Sequence, residues 1–143
     1  MLISTKGRYA TRMLLDIALH QGDGYVTMKR IAERQAISKK YLEQFTAQLS
    51  RAGILDIRRG PQGGYRLLLP PDRITLADVL RLTEDSLAPV SCLEACADTC
   101  PRATQCRTLP LWQGLAKVIN DYLDNVTLAD LIRDARSGFD YVI

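Results

Sequence analysis

All four cysteines of this 143-residue chain lie within the segment CLEACADTCPRATQC. They are Cys92, Cys96, Cys100 and Cys106, so three, three and five residues separate successive thiols. Thiolates at such spacings on one loop can converge on a single soft centre, which is how proteins hold iron–sulfur clusters. The same side chains could instead bind zinc, form disulfides or act as a redox-sensitive thiol switch.

The cysteine pattern favours iron–sulfur ligation over the other three uses. It lacks the paired C-x2-C knuckles that are common in structural zinc sites. Disulfides are rare in the cytoplasm, where we expect the chain to reside because its start, MLISTKGRYATRM, lacks the features of a secretory signal. Arg102 and Arg107 lie beside the last thiols and would stabilise thiolate charge in any such site. Zinc binding and a cluster-free thiol switch stay open as alternatives.

The composition is that of a globular chain with an uneven charge distribution. Apolar residues make up 47% and charged residues 24%, and no apolar run approaches the roughly 20 residues needed to cross a bilayer. Residues 1–71 carry twelve Lys and Arg against five Asp and Glu, whereas residues 72–143 carry seven against eleven. The net charge of +3 therefore hides a basic first half, which we expect to contact a polyanion such as DNA.

Helical periodicity in the first half predicts three helices, the last two joined by a short turn. Thr5, Thr27 and Ser38 are the expected N-caps. The linking residues QAIS are so few that the second and third helices must cross steeply, as in a helix-turn-helix. The third helix is expected to bury Leu42, Phe45 and Leu49 and to expose Lys39, Lys40, Glu43, Gln44 and Gln48.

Directly after the third helix, ILDIRRGPQGGYRLLL is predicted to form two short strands around a tight turn. Ile54, Leu55 and Ile57 supply one strand, and residues 65–69 supply the other. Glycines let the turn approach another surface closely, and arginines suit phosphates and the narrow minor groove. A helix-turn-helix followed by such a basic hairpin is a winged helix.

These elements predict which residues contact double-stranded DNA. The predicted residues are Ser38, Lys39, Lys40, Tyr41, Glu43, Gln44, Arg58, Arg59, Gly60 and Pro61. The helix residues would enter the major groove, with the lysines and Tyr41 placed for phosphates or base edges. Glu43 could accept a hydrogen bond from a cytosine amino group. The wing residues would lie along the minor groove.

The second half of the chain is predicted to be helical. ITLADVL and VTLADLI each open a helix, with Thr75 and Thr127 as caps and an aspartate in the first turn. Between them lies a long apolar stripe formed by Trp112, Leu115, Ile119, Tyr122, Leu123 and Val126. This stripe could pack within the monomer or against a second copy. We expect a homodimer, because two-fold symmetric winged helices read two half-sites.

The sequence therefore predicts a mainly α fold with a small β wing. Residues 1–71 would form a winged helix-turn-helix DNA-binding domain. Residues 72–143 would form a helical dimerisation region with a long C-terminal dimerisation helix and the cysteine loop 92–106. A sensor between a basic winged helix and a dimer helix could change how DNA is read.

In its order of parts, the chain resembles the IscR and NsrR family of bacterial regulators, also called the Rrf-two family. The matching segments are STKGRYATRMLLDIAL, IAERQAISKKYLEQFTAQLSRAGIL, RRGPQGGYRL, the cysteine loop, LPLW and NDYLDNVTLADL, and the match extends to about residue 132. The resemblance implies a homodimeric transcription factor whose C-terminal helices pair across the two-fold axis. In many members, an iron–sulfur cluster in the cysteine loop alters which DNA is bound.

The resemblance also implies which cysteines are cluster ligands. Members typically hold three cysteines, the last two separated by five residues, as Cys100 and Cys106 are here. Either of the earlier thiols could supply the first ligand, and Cys92 is favoured because it directly follows APVS.

The fourth ligand cannot be carried over from the family. IscR-like members place a histidine shortly beyond the last cysteine, whereas this chain has Leu109, which cannot coordinate. The nitric-oxide-sensing branch uses an acidic residue near the N-terminus, whereas Arg8 is basic. Cys96 is therefore the candidate fourth ligand. All-thiolate ligation suits a two-iron or a four-iron cluster, and the sequence does not separate them.

The predicted function is a DNA-binding transcriptional regulator whose operator binding is modulated by an iron–sulfur cluster. The alternative is a cofactor-free or zinc-binding thiol-responsive regulator of the same fold. An enzyme is not expected, because the chain has no C-x2-C, no nucleophile–histidine pair and a single histidine, His20. The expected partners are double-stranded DNA and a second copy of the chain, with no membrane contact.

Overall fold

The computed structural model describes residues 2–95 and 100–137. The helices in this part of the chain are α1 (Thr5–His20), α2 (Met28–Gln35), α3 (Lys39–Arg51), α4 (Leu76–Thr83), α5 (Leu109–Asn125) and α6 (Leu128–Ser137). The strands are β1 (Leu55–Arg58) and β2 (Gly64–Leu67), which pair antiparallel. The predicted mainly α fold with a small β wing is confirmed. None of these helices is long and apolar enough to cross a membrane.

Side-chain caps mark the starts of the first three helices. The Ser4 hydroxyl accepts a hydrogen bond from the backbone N–H of Gly7 at 3.2 Å, so Ser4 caps α1. The prediction that Thr5 is the cap was wrong, because Thr5 is already the first helical residue while Ser4 keeps an extended backbone. Thr27 caps α2 and Ser38 caps α3, both as predicted. Loss of such a cap typically costs about 1 kcal/mol.

The wing differs from the prediction at both of its strands. β1 extends to Arg58, which therefore belongs to a strand and not to the turn. β2 ends at Leu67, and the two leucines that follow, Leu68 and Leu69, are exposed. One further backbone hydrogen bond continues the pairing beyond the strand ends, because Leu68 donates at 2.9 Å to Ile54, the residue opposite it in the register.

One hydrophobic core joins the winged helix to the helices that follow it. Its fully buried members include Met13, Leu14, Ile17, Ile31, Leu42, Phe45, Leu49, Leu55, Ile74, Val79 and Leu128. Ile74 and Val79 reach this core from around α4, and Leu128 reaches it from α6. The core thus crosses the boundary predicted between residues 71 and 72. That boundary stays a prediction about the division of tasks between DNA binding and dimerisation.

The two similar segments ITLADVL and VTLADLI lie side by side. Thr75 and Thr127 form an antiparallel bridge, in which Leu76 donates to Val126 at 2.8 Å and Leu128 donates to Ile74 at 3.0 Å. Each threonine also exchanges reciprocal hydrogen bonds with the aspartate three residues on, as the predicted caps require. The starts of α4 and α6 are therefore capped alike and paired to each other.

The apolar stripe predicted on α5 divides into two faces. Ile119 and Leu123 are half-buried, whereas Leu115 and Tyr122 are exposed. Two ion-paired hydrogen bonds, of 2.7 and 3.0 Å, join Arg81 of α4 to Asp124 of α5. α5 thus rests on α4 along one side and leaves an apolar side uncovered within the chain.

Candidate DNA-binding surface and cysteine segment

The outer face of α3 presents four polar side chains to solvent. Lys39, Lys40, Glu43 and Gln44 are all exposed, as the helical spacing predicts. Lys39 and Glu43 form an ion pair of 3.8 Å across one turn. Gln48 was also expected here but is half-buried, because it lies one turn beyond Phe45 at the margin of the buried face.

Tyr41 is placed differently from the other predicted DNA contacts. Its ring is half-buried and meets the rings of Tyr9 and Phe45 edge-on, with centroids 5.5 and 6.4 Å apart. The guanidinium of Arg12 lies 5.3 Å from the Tyr9 ring. Tyr41 therefore helps to pack α3 against α1, and its contact with DNA stays a prediction.

A groove of about 560 Å³ separates α3 from the wing. Its lining combines predicted residues of the helix and of the wing, namely Lys39, Glu43, Arg58, Arg59, Gly60 and Pro61. Six of the ten predicted DNA contacts thus line one groove, whereas Ser38, Lys40, Tyr41 and Gln44 do not line it. Lys29, in the first turn of α2, also lines the groove and was missed because nothing in its local sequence marks it.

Two glycines shape the tip of the wing, one by its backbone conformation and one by lack of space. Gly60 adopts φ of 103°, which side-chain-bearing residues rarely adopt. A Cβ on Gly63 would lie 2.1 Å from the backbone oxygen of Arg58. Arg59 is exposed beside this turn, and within the described residues no carboxylate pairs with it. Its positive charge is therefore free for an external anion.

The loop before α2 holds the wing in place. Val26 and Tyr65 exchange backbone hydrogen bonds of 2.9 and 2.8 Å, which adds a short third strand to the hairpin. The side-chain oxygen of Gln21 accepts from the backbone of Leu67 at 2.8 Å. A Cβ on Gly64 would lie 2.5 Å from the backbone oxygen of Val26, so only glycine permits this approach.

A buried carboxylate fixes the helix-turn-helix against α1. Asp16 is 1% exposed and accepts hydrogen bonds from Arg34 at 2.6 and 3.0 Å and from Gln35 at 2.9 Å. Burial raises the pKa of Asp16, but the hydrogen bonds from Arg34 and Gln35 outweigh it and hold the pKa below the usual value. Arg12 adds a hydrogen bond of 3.1 Å to the Gln35 side chain. Sequence reasoning missed this clamp, because a lone aspartate in a helix is usually solvated.

The cysteine segment lies between α4 and α5. Cys92 is exposed within a 3-10 turn (Ser91–Leu93), Cys100 is exposed, and Cys106 is half-buried before α5. Cys96 lies outside the described residues. Within residues 2–95 and 100–137, no three His, Cys, Asp or Glu side chains come together as a metal site. The predicted convergence of the thiols is thus absent from this part of the chain, although soft thiolates fit an iron–sulfur cluster in donor type.

Cys106 has the most activated environment among the described thiols. Its sulfur lies 3.4 Å from the Thr108 hydroxyl, and it is next to the N-terminus of α5. The Thr108 hydroxyl and the backbone N–H groups of Thr108 and Leu109 lower the pKa of the Cys106 thiol. Arg102 and Arg107 are both exposed near it.

Comparison with known proteins identifies the family. The sequence model described as Rrf2, iron-dependent transcriptional regulator, matches residues 3–134. The chain belongs to the Rrf2 family. This Rrf2 protein is accordingly a transcriptional regulator and not an enzyme, and regulators of the family bind DNA.

Three relatives of this Rrf2 regulator match it over most of their length. Protein rrf2 of Nitratidesulfovibrio vulgaris is 44% identical over 94% of this chain and 89% of its own. The structure of T. potens IscR is 39% identical, with a TM-score of 0.72 over 94% of this chain and 88% of that one. CymR, described as the global cysteine regulator of B. subtilis, is 36% identical, with a TM-score of 0.74 over 92% and 95%. These likenesses confirm the winged-helix fold.

In this Rrf2 regulator, Glu84 connects the end of α4 to the start of α1. Its carboxylate accepts hydrogen bonds from the backbone N–H of Ser4 at 3.1 Å and from the Ser4 hydroxyl at 2.8 Å. Glu84 directly follows α4, and a cavity of about 300 Å³ separates it and Leu93 from Ala116 of α5. The end of α4 is therefore anchored to α1, and Leu93 of the cysteine segment lines a cavity that Ala116 of α5 also lines.

Four large apolar side chains form the uncovered face of α5. They are Leu111, Leu115, Val118 and Tyr122, which are 61%, 41%, 64% and 67% exposed. Their spacing of four, three and four residues is the seam of a two-helix coiled coil. An apolar stripe of this kind is typical of a surface that another helix covers.

Proposed function

We propose that this Rrf2 regulator binds operator DNA as a homodimer and that an iron–sulfur cluster in its cysteine loop modulates the binding. The observation that carries the DNA-binding part is the groove between α3 and the wing. Helix and wing side chains that are distant in sequence line this one groove, and among the described residues no carboxylate forms an ion pair with Arg59. The regulator would act in the cytoplasm, where bacterial chromosomes lie.

The exposed face of α3 would read the major groove. Lys40 and Gln44 are exposed to contact phosphates or base edges, and Lys39 would do so from its ion pair with Glu43. The packed ring of Tyr41 can offer only its outer edge. Glu43 would accept from a cytosine amino group and disfavour operators without one. Arg58, Arg59, Gly60 and Pro61 would follow the minor groove, where arginine is favoured by the negative potential.

The uncovered face of α5 supports the homodimer. Its four-three-four spacing matches a helix of the same sequence, so a second copy can supply the covering side chains. Two winged helices related by a two-fold axis would read two half-sites, and the distance between them would depend on how the α5 helices cross.

Cys92, Cys100 and Cys106 would hold the cluster, with Cys96 as candidate fourth ligand. When bound, such a cluster supplies one-electron redox chemistry and ties parts of the loop together through its thiolates. The chain's own contribution is the placement of the loop. Glu84, eight residues before Cys92, is bonded to Ser4 of the DNA-binding part, and Cys106 at the other end of the loop lies just before the first turn of α5.

Anaerobic purification tests the cluster assignment. The wild-type protein should show the visible absorption of an iron–sulfur chromophore. Its iron and sulfide contents should match each other. Cys92→Ala, Cys100→Ala and Cys106→Ala should each lose the colour, and Cys96→Ala decides the fourth ligand. Ser91→Ala, in the same turn as Cys92, is the matched control and should keep the colour. Full colour in the three cysteine variants would contradict the ligand assignment.

A cofactor-free or zinc-binding thiol-responsive regulator is the second candidate. It is favoured by the absence of a gathered donor group in residues 2–95 and 100–137, and by the lowered pKa of Cys106, which suits a reactive thiol. This candidate predicts a colourless protein under anaerobic conditions. Metal analysis then separates zinc binding from a free thiol, and reversible loss of DNA binding after mild oxidation would identify the thiol switch.

A further inference from the structure

Tyr25 lies between two arginines of the wing. The centroid of its ring is 5.4 Å from the guanidinium carbon of Arg58 and 4.9 Å from that of Arg66. Both distances are within the range of cation–π attraction, which is about 6 Å. Tyr25 itself belongs to the loop between α1 and α2, so its ring is supported from outside the hairpin.

The hydroxyl of Tyr25 occupies the nearest carboxylate of the wing. It donates a hydrogen bond of 2.7 Å to Asp56, and Arg66 forms an ion pair of 3.1 Å with the same Asp56 oxygen. Asp56 and Arg66 are direct partners in the strand register. The hydrogen bond to Asp56 raises the pKa of Tyr25, so the phenol stays protonated and continues to donate near neutral pH.

Asp56 is also the natural competitor for Arg58. The two residues are two positions apart on β1 and therefore point to the same side of the hairpin. An ion pair between them would hold the Arg58 guanidinium against the strand. With Tyr25 and Arg66 already bound to Asp56, Arg58 has no carboxylate partner among the described residues and rests on the Tyr25 ring.

We infer that Tyr25 is a positioning residue for DNA binding, which holds Arg58 at the groove by supporting its guanidinium and by keeping Asp56 occupied. The inference rests on the proposed function, in which the wing contacts DNA. Arg58 lines the groove beside Arg59 and Glu43, so its orientation determines whether its charge faces a phosphate or the protein's own strand. Tyr25 acts from behind the arginine and needs no contact with DNA.

Binding measurements on matched variants test the ring. Fluorescence anisotropy with a duplex obtained by selection from random sequences would give Kd over a range of salt concentrations. Tyr25→Leu should weaken binding about two- to fivefold, the range of an exposed cation–π contact. It should also flatten the salt dependence towards that of Arg58→Ala, whose slope should fall by about one unit. In the Arg58→Ala background, Tyr25→Leu should have no further effect. An equal loss in that background would overturn the inference.

The hydroxyl is tested by a rescue. Tyr25→Phe keeps the ring but removes the hydroxyl that donates to Asp56. Asp56 can then attract Arg58 away from the groove, so this variant should weaken DNA binding. Asp56→Asn removes the competing charge, and it should restore more affinity in the Tyr25→Phe protein than it adds in the wild type. Equal gains in both backgrounds would overturn the role of the hydroxyl. Thermal unfolding of each variant checks the fold. If Tyr25→Leu does not fold, the binding measurements on Tyr25→Phe still test the role of Tyr25.

Arg58→Ala separates the inference from the function on which it rests. Unchanged affinity in Arg58→Ala would remove this arginine from the DNA interface, and the proposed wing contact at Arg58 would fail. Reduced affinity in Arg58→Ala with unchanged affinity in both Tyr25 variants would leave the wing contact in place and overturn the role of Tyr25 alone.

Discussion

Glu84 accepts two hydrogen bonds from Ser4, a residue eighty positions earlier in the chain. Ser4 is also the N-cap of α1, so the Glu84 carboxylate orients the hydroxyl that caps the helix. A Cβ on Gly7 would lie 2.1 Å from a Glu84 oxygen, which indicates how closely the two helix ends approach. The end of α4, eight residues before Cys92, is thereby fastened to the first helix of the DNA-binding part.

Replacement of Glu84 should loosen this junction. Glu84→Gln keeps the shape but loses the charge, and Glu84→Ala leaves both Ser4 donors without their partner. We expect a loss of about 1.5–3 kcal/mol in the free energy of unfolding for Glu84→Ala, as is typical of hydrogen bonds to a charged group. Urea unfolding monitored by circular dichroism measures it. Asp85→Ala, one residue on and exposed, is the control and should change little. Equal stability of the two alanine variants would contradict the role of the junction.

The Asp16 clamp should contribute stability that depends on pH. Because the pKa of Asp16 in the folded state lies below its usual value of 3.8, the contribution is complete above that value. It is lost as the pH falls through the lowered pKa. Asp16→Asn should therefore unfold more easily at neutral pH, by about 1–3 kcal/mol, and should lose less further stability in acid than the wild type. Thermal unfolding of the wild type and of Asp16→Asn between neutral and acidic pH checks both expectations. If stability falls equally with pH in the two proteins, the lowered pKa of Asp16 does not contribute.

A charge on the uncovered face of α5 should break the homodimer. Val118→Glu places a carboxylate where the proposed partner helix packs, and burial of an unpaired charge is strongly unfavourable. Analytical ultracentrifugation should show a dimer for the wild type and a monomer for Val118→Glu. Gln113→Glu adds the same charge to an exposed site on another side of α5 and should remain dimeric. A dimeric Val118→Glu protein would place the interface elsewhere.

Loss of a wing-tip arginine should weaken DNA binding by a similar factor for all DNA sequences. Arg59→Ala should cost about 1–3 kcal/mol of binding free energy and reduce the salt dependence, as expected for a phosphate or minor-groove contact. Arg73→Ala removes an exposed arginine outside the groove and provides the control. Gel-shift titration of both variants measures the difference. Identical affinities would remove the wing tip from the interface.

Glu43 should affect base preference more than affinity. In Glu43→Ala, the acceptor for a cytosine amino group is lost, and Lys39 is released from its ion pair to contact phosphate. The two changes offset each other in affinity but not in specificity. Selection from random duplexes should yield a relaxed preference at one position, while Gln48→Ala, at the half-buried margin of α3, leaves the preference intact. An unchanged preference in Glu43→Ala would contradict the contact.

Much of the candidate site could be predicted because its signals are local. The caps at Thr27 and Ser38 and the buried stripe of α3 follow from residues within one or two turns of each other. The exposure of Lys39, Lys40, Glu43 and Gln44 follows from the same periodicity. Errors appeared at the margins of these local patterns: Gln48 lies at the edge of the buried face of α3, and Thr5 lies one residue beyond the true cap, Ser4.

The sequence by itself determined the fold class, the order of the elements and the concentration of thiols in one segment, since each is encoded by neighbouring residues. Only the tertiary structure decided which distant groups meet. It joined Ser4 to Glu84, Asp16 to Arg34, and the two similar threonine segments at Thr75 and Thr127 to each other. It also divided the stripe of α5 into a face on α4 and a face that is uncovered within the chain. Such pairings depend on the path of the whole chain, because their geometry is determined by packing across the core and not by local periodicity.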